Sequence, residues 1–418
     1  MGVLKLGAVL ALTLWSGLQS VPGEDRIYGR VLTADGEVLE GYLRWDRNEA
    51  SWSDFLDGQK EIPWENLREA EELDPEYAAR ARRERSLEAF GVRITWDEDD
   101  ASSPTRVSSA LRFGHLASIA VLDDRRAMLT LKSGHEVELL GSSTDLGRGM
   151  RALIVHDVRR GEVELRWRDL DRIEFMEAPA GAQAPGEQRI HGTLRTWSGL
   201  EVTGFVAWDL DEVFTSDVLD GRQDREDYEI PFSDIRGIEW ETSRSSRVIL
   251  ASGEELVLRG TNDVDRDNRG IEVTDPTMGR AIVPWEEFER ISFHQAFADP
   301  VGYSKYDGGS VLRGTVRARD GRVLTGQIRW DNDEENSWEG LDGQSGGVDL
   351  DLEFGLIESI VRSERGDAVS VTLRNGRTFE LDGSNDVDAE NKGIFVKRDG
   401  GGTFLVKWSD FERVDFGW

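Results

Sequence analysis

Two stretches of the sequence carry acidic side chains at alternate positions, a spacing that suits a hard cation. They read TNDVDRDNRGI (261–271) and SNDVDAENKGI (384–394). Cations such as Ca²⁺ prefer six to eight oxygen ligands, and a loop with a carboxylate at every second position can wrap around one ion. The sequence therefore predicts metal ligands at Asp263, Asp265, Asp267 and Asn268, and in the second stretch at Asp386, Asp388, Glu390 and Asn391.

These stretches resemble the start of the DxDxDG calcium loop, with two departures. The glycines, Gly270 and Gly393, fall two places late, and Thr274 and Lys397 occupy the twelfth position, where that loop has a bidentate Glu. The corresponding part of the first third of the chain, GSSTDLGRGM, has only Asp145. The alternative is that Asp and Asn serve here only to shape turns, because both tolerate left-handed backbone and cap turns with their side chains.

A second acidic set follows three tryptophans, Trp45, Trp208 and Trp330. Oxygen-bearing side chains stand 1, 3, 4, 9 and 12 residues after each Trp, and the candidate ligand-binding residues among them are Asp46, Glu49, Asp209, Asp211, Glu212, Asp331, Asp333 and Glu334. They could converge on a cation, or bind a sugar beside the Trp. The alternative is an acidic hairpin loop, with a turn at Leu56-Asp57-Gly58 and its equivalents, and with the Trp packed in the core.

Both acidic sets belong to a larger repeat that must position them. Gly29, Gly36, Gly41, Trp45, Asp46 and Asp57 are separated by 7, 5, 4, 1 and 11 residues, and the same steps recur from Gly192 to Asp220 and from Gly314 to Asp342. The chain is therefore a threefold sequence repeat. We place repeat 1 at 24–176, repeat 2 at 189–294 and repeat 3 at 311–418, with linkers at 177–188 and 295–310.

Each repeat contains two halves of similar pattern. Alternating apolar and polar runs meet at Asp35-Gly36, Ser198-Gly199 and Asp320-Gly321, which predicts β-hairpins. Aromatic pairs such as Trp285 and Phe288, or Trp408 and Phe411, precede the last strand at the spacing of a 3₁₀ turn. This pattern resembles the SH3-like and Sm-like small barrels. The resemblance implies an all-β fold of three tandem repeats, each a pair of small SH3-like five-stranded barrels.

Repeat 1 also carries an insertion. Asp57 and Phe113 are 56 residues apart, whereas the equivalent residues of the other repeats are 12 apart, so 44 residues are extra. We expect a helical insert at about 65–105, with a helix from Asp74, as its N-cap, to Phe90. Its arginines, Arg80, Arg82, Arg83 and Arg85, form a basic patch that either lies against the acidic chain or docks an acidic partner.

The N-terminal pattern and the composition indicate where the protein is located and which partners it binds. Residues 1–23 have the pattern of a signal peptide, which predicts a periplasmic or extracellular protein without a transmembrane segment after cleavage. The net charge of −31 disfavours nucleic acid, because polyanions are repelled. The chain has no Cys, so disulfide and thiolate chemistry are excluded. We expect a protein or glycan partner in the envelope.

The sequence predicts a non-catalytic scaffold or interaction protein, with Ca²⁺ as the candidate ion. We find no catalytic motif such as GxSxG or HExxH. The alternative is a carbohydrate- or cell-wall-binding protein that uses exposed Trp residues, for which the candidates are Trp52, Trp96, Trp197 and Trp338. A hydrolase is a third interpretation, since carboxylate pairs are plentiful.

Overall fold

The computed structural model describes residues 23–75, 106–296 and 301–417. The fold is all-β, as expected from the alternating pattern, with one α-helix, α1 (Trp64–Leu73), among the described residues. The strands of repeat 1 are β1 (Tyr28–Thr33), β2 (Val38–Arg44), β3 (Phe55–Glu61), β4 (Arg106–Arg112), β5 (Leu116–Val121), β6 (Arg126–Leu131), β7 (Glu136–Leu140), β8 (Leu153–Asp157), β9 (Gly161–Leu165) and β10 (Leu170–Phe175).

Repeats 2 and 3 each supply ten further strands. Those of repeat 2 are β11 (His191–Thr196), β12 (Glu201–Ala207), β13 (Val218–Gln223), β14 (Glu226–Pro231), β15 (Ile235–Thr242), β16 (Ser245–Leu250), β17 (Glu255–Arg259), β18 (Ile271–Asp275), β19 (Gly279–Val283) and β20 (Phe288–Phe293). Those of repeat 3 are β21 (Arg313–Ala318), β22 (Val323–Arg329), β23 (Gly340–Ser345), β24 (Val348–Glu353), β25 (Ile357–Arg362), β26 (Ala368–Leu373), β27 (Thr378–Asp382), β28 (Ile394–Lys397), β29 (Thr403–Val406) and β30 (Phe411–Phe416).

The three hairpins predicted around Gly36, Gly199 and Gly321 are confirmed. The turn glycines have φ values of 86°, 88° and 87°, a left-handed conformation that glycine adopts without steric cost. In the first hairpin Gly29 pairs with Gly41, and the equivalent glycine pairs have the same register in the hairpins β11–β12 and β21–β22. The repeated spacing of these glycines thus corresponds to one hairpin geometry.

Each repeat forms two five-stranded antiparallel meanders, and both half-repeats contribute to each meander. In repeat 1, β1 and β2 continue into β8 and β9, while β10 returns to pair with β1. The other meander runs β6, β7, β3 and β4, and β5 returns to pair with β6. Strands β5 and β10 pair and join the two meanders. In chain order the first half-repeat consists of β1–β5 and the second of β6–β10. Each meander takes its first two strands from one half and its last three from the other, so the two halves have exchanged their last three strands.

Repeats 2 and 3 show the same exchange. Strand β12 pairs with β18, and β22 pairs with β28, as β2 pairs with β8. Strand β19 also pairs with β24, which joins repeats 2 and 3 into one twenty-stranded sheet. The strand exchange makes the association of the two halves of each repeat part of the sheet itself.

The short turns before the last strands are mostly 3₁₀ turns, as predicted. At the end of repeat 3 the turn covers Trp408–Asp410, and Phe411 begins β30 directly after it. At the equivalent place in repeat 2, Trp285 begins a hydrogen-bonded turn, in which the Phe288 amide donates to the Trp285 carbonyl over 3.3 Å. In both places the two aromatic rings pack together in the core, with centroids 5.3 to 5.5 Å apart.

The predicted linkers pack against repeat 1. Tyr306 is buried in the core of repeat 1, and the Tyr303 hydroxyl donates to the Leu116 carbonyl over 2.7 Å. Trp338 of repeat 3 is buried in the same core. The three repeats are therefore packed together through more than the one shared strand pair.

The helical insert is described only at its start. Helix α1 ends at Leu73, and Asp74, which we expected as the N-cap of a helix, closes α1 by donating its amide to the Ala70 carbonyl over 2.8 Å. The predicted helix beyond Asp74 and the arginine patch lie outside the described residues. Helix α1 has 10 residues and a polar sequence, so no helix in the described part of the chain could span a membrane.

Candidate functional site: three carboxylate triads

The three repeated tryptophans end their strands in the core and start a tight turn. Trp45, Trp208 and Trp330 are fully buried, as the alternative reading of the sequence proposed. The amide of each Trp donates to the carbonyl of the Glu four residues later, over 2.7 to 2.9 Å. The Asp after each Trp has φ between 40° and 51°, a left-handed conformation that Asp tolerates better than most residues. This turn holds the side chains of the Asp and the Glu close together.

The loop that contains Asp263 reaches the same place from the other half of repeat 2. The indole Nε1 of Trp208 donates to the Asp263 carbonyl over 2.9 Å, and the Asp220 amide donates to Asp263 Oδ2 over 2.6 Å. The two acidic sets that the sequence analysis treated separately thus meet at one site. Strand exchange explains the meeting, because β12, which leads into the Trp208 turn, pairs with β18, which follows the Asp263 loop.

Three carboxylates converge at this point, and we call such a group a carboxylate triad. In the middle triad, oxygens of Asp209, Glu212 and Asp263 all lie within 4.8 Å of one another. Among the residues that the structure describes, this is the one group of at least three His or acidic side chains with that geometry. It differs from the predicted loop of alternating ligands, because Asp267 is exposed and Asp265 accepts a hydrogen bond from the Asp267 amide.

The other two repeats place the corresponding residues in the same backbone contacts, and we call these groups triads too, although their carboxylate oxygens do not all lie within 4.8 Å of one another. The backbone of Asp145 accepts from Trp45 Nε1 over 2.8 Å, and that of Asp386 accepts from Trp330 Nε1 over 2.9 Å, as Asp263 does from Trp208. The first triad is Asp46, Glu49 and Asp145, and the third triad is Asp331, Glu334 and Asp386. In all three, Oε2 of the Glu is buried and has no hydrogen-bond partner within the described residues.

One basic residue pairs with the first Asp of each triad, and the sequence analysis missed it. Arg269 Nη2 lies 2.7 Å from Asp209 Oδ2, Lys392 Nζ lies 2.9 Å from Asp331 Oδ2, and Arg151 Nη2 lies 3.1 Å from Asp46 Oδ2. Each base stands six residues after the last Asp of its triad, a spacing present in all three repeats. Each triad therefore has three carboxylates and one cation, which leaves two negative charges when all are ionised.

Burial and the excess negative charge together disturb the titration of these groups. Burial, followed by repulsion from Asp263, raises the pKa of Glu212 to about 8. Burial raises the pKa of Asp263 to about 6, and raises those of Glu49 and Glu334 well above their usual range. A proton or a bound cation would relieve this repulsion.

The remaining predicted ligands shape turns or form ion pairs. Asn268 and Asn391 accept from the amides of the glycines two residues later, over 3.0 and 2.8 Å. Asp388 accepts from the Glu390 amide over 2.8 Å, and Glu390 is exposed. Asp211 pairs with Arg151 of repeat 1 and with Arg269, at 2.5 and 3.3 Å. The buried Asp333 adjoins the Glu of the third triad.

The predicted turn at Leu56-Asp57-Gly58 is wrong, because these residues lie in β3 and pair with β4. Two of the tryptophans expected to be exposed are also core residues. Trp52 is 1% exposed and packs on Tyr303 with ring centroids 4.5 Å apart, and Trp338 is 2% exposed. Trp197 is 55% exposed and packs edge-on against Trp240, while Trp96 lies outside the described residues.

The chain matches no protein-family model and no curated protein sequence.

Proposed function

We propose that the protein is a non-catalytic scaffold or interaction protein of the cell envelope, whose loops bind a divalent cation such as Ca²⁺ at the carboxylate triads. The observation that carries the proposal is the convergence of Asp209, Glu212 and Asp263, with one Glu oxygen left unpartnered among the described residues. Two oxygens that bind one Ca²⁺ at about 2.4 Å can be up to about 4.8 Å apart. The middle triad satisfies this limit without rearrangement.

The position of the triads supports a structural role for the ion. In repeat 2 the triad joins the turn after β12, the start of β13 and the loop between β17 and β18, and these segments come from both half-repeats. An ion there would link the exchanged halves of the repeat. The order of strands in each meander supports the resemblance to SH3-like small barrels, and the N-terminal sequence supports export to the periplasm or the exterior.

Terbium luminescence tests the cation site. Tb³⁺ substitutes for Ca²⁺ at oxygen sites and emits when a nearby excited Trp transfers energy to it, and the Trp208 indole contacts the middle triad directly. We expect Trp-sensitised emission that Ca²⁺ displaces and that Glu212→Gln reduces. Asp267→Asn is the matched control, because Asp267 lies in the same loop but is exposed and outside the triad. Equal emission from the Glu212→Gln variant and the unmodified protein would refute the assignment.

A second candidate function is binding of glycan or cell wall, and one observation favours it. Trp197 is 55% exposed, and its ring lies 5.8 Å from that of Trp240 at an angle of 86°, so that a neighbouring ring holds it in place. A fixed, exposed indole is a suitable platform for an apolar sugar face. Retention on peptidoglycan or a glycan array distinguishes this function from a scaffold that binds protein partners only.

A further inference from the structure

A polar cavity lies where the three repeats meet. Its volume is 260 Å³, and repeat 2 contributes Arg280 to its wall. Repeat 1 contributes Lys60 and four serine residues, Ser108, Ser109, Ser142 and Ser143. The acidic residues that line it are Asp57 of repeat 1 and, from repeat 3, Glu334, Glu339, Asp342 and Asp351. We call it the junction cavity.

The cations in the wall neutralise only part of this charge. Arg280 forms two hydrogen bonds of 2.7 Å with Asp57, and Lys60 pairs with the buried Glu339. Arg280 Nε also lies 3.4 Å from Asp351 Oδ2. Five carboxylates therefore face two cations, which leaves three negative charges when all are ionised.

Two of the carboxylates are buried and incompletely bonded. Asp351 and Glu334 are each 7% exposed, and Asp351 Oδ1 and Glu334 Oε2 have no hydrogen-bond partner in the described residues. Asp351 Oδ1 lies against Gly340, where a Cβ atom would be 1.7 Å from it, so a side chain at that position would displace the carboxylate. A buried carboxylate oxygen without a donor costs free energy unless a ligand or a proton satisfies it. Burial and the nearby Asp342 raise the pKa of Asp351 to about 7.

We propose that the junction cavity binds a hydrated divalent cation of the Mg²⁺ or Ca²⁺ class, which links repeat 3 to repeat 1. Aside from Arg280 and Lys60, the polar residues of the wall are acidic residues and serines, whose side chains offer oxygen atoms, and oxygen ligands select hard cations. An ion with about six waters needs about 180 Å³ at about 30 Å³ per water. The cavity has that volume, and Asp342 in its wall is exposed to solvent.

This site is separate from the middle triad, so the two proposals can fail independently. Asp342 and Asp351 belong to no triad, whereas Glu334 belongs to the third triad and is left unchanged in the test. We would titrate the purified protein, freed of metal with EDTA and dialysed, with MgCl₂ and with CaCl₂ in a calorimeter. The doubly substituted protein, Asp342→Asn with Asp351→Asn, is compared with an Asp349→Asn control. Asp349 lies in β24 with Asp351, but it is exposed and does not line the cavity.

We expect the double variant to lose one binding event that the Asp349→Asn control and the Glu212→Gln variant both keep. If circular dichroism shows that the double variant is unfolded, Asp342→Asn alone is used, and we expect its affinity for the ion to fall by about tenfold or more. Wild-type stoichiometry and affinity in the folded variant would overturn the proposal, as would the absence of binding of both ions to the unmodified protein. Loss of a binding event in the Glu212→Gln variant alone would support the triad site and overturn the junction site.

Discussion

Arg112 and Glu353 occupy equivalent positions in repeats 1 and 3, and they form a buried ion pair with each other. The sequences RFGH and EFGL align at these residues, and Arg112 Nε lies 2.8 Å from Glu353 Oε2. His115 Nε2 lies 3.3 Å from the other oxygen of Glu353. Burial alone would raise the pKa of Glu353, but Arg112 and His115 lower it below its usual value. The equivalent residue of repeat 2 is Pro231, which carries no charge.

Breaking this pair should destabilise the protein strongly. Arg112 is fully buried, so Arg112→Met leaves the Glu353 charge buried with one partner fewer. We expect a loss of about 3–5 kcal/mol in the free energy of unfolding, measured by urea denaturation. Arg222→Met is the control, because Arg222 and its partner Asp227 are both more than half exposed, and exposed pairs contribute about 0–1 kcal/mol. An equal loss of unfolding free energy in the two variants would show that the packing of repeat 1 against repeat 3 does not depend on the Arg112–Glu353 pair.

A side chain at Gly204 should destabilise the protein, because β12 passes very close to β18 there. A Cβ atom at Gly204 would lie 2.2 Å from the Thr274 carbonyl oxygen, and the equivalent Gly41 and Gly326 have contacts of 2.0 and 2.2 Å. We expect Gly204→Ala to reduce the free energy of unfolding by about 1–3 kcal/mol, as overpacking does. Gly186→Ala is the matched control, because no atom lies within 4 Å of its Cβ position. A Gly204→Ala variant as stable as the control would contradict the strand exchange.

The pH dependence of stability should report the middle triad. The pKa of Glu212 is raised from 4.5 to about 8, so the folded protein holds this proton more tightly than the unfolded chain. Its contribution is fully present below about pH 4.5 and is lost as the pH rises through about 8. In EDTA, the unfolding midpoint of Glu212→Gln minus that of the unmodified protein should therefore increase from about pH 5 to about pH 9. A difference in midpoint that does not vary with pH would show that the fold does not raise the pKa of Glu212.

Trp197→Ala separates the two candidate functions. Because Trp197 is 55% exposed, its removal should cost only about 1 kcal/mol of stability, chiefly the edge contact with Trp240. If the protein binds glycan through this indole, the variant should lose retention on peptidoglycan while Trp64→Ala keeps it. Trp64 is 64% exposed on α1 and serves as the control. Unchanged retention of Trp197→Ala would remove the glycan proposal.

Local features of the fold could be predicted from the sequence, because they depend on local pattern. Alternation and the turns at Gly36, Gly199 and Gly321 identify the hairpins, and the place of Trp208 in its strand identifies it as a core residue. The strand exchange could not be predicted, because β2 presents the same alternation whether β3 or β8 lies beside it. Trp52 and Trp338 were misassigned for a related reason, since each is covered by residues distant in sequence.

The site was predicted in its parts and not as a whole. Asp209 and Glu212 belong to one acidic set of the sequence and Asp263 to another, and the fold brings the three together. The basic residue six positions after Asp263 was a readable signal, because Arg151 and Lys392 stand at the same step. The sequence could not show whether Asp265 and Asn268 shape turns or bind a cation, since turn formation and cation binding select the same side chains.

Thermal unfolding of the purified protein, first in excess EDTA and then in millimolar Ca²⁺, tests most directly whether the triads hold a cation. An ion that binds only the folded state adds about 2.7 kcal/mol per site at a hundred times its dissociation constant. We expect a higher unfolding midpoint in Ca²⁺, and a smaller increase in the Glu212→Gln variant. An unfolding midpoint that is the same in EDTA and in Ca²⁺ would contradict it, and would leave the triads as buried carboxylates satisfied by protons.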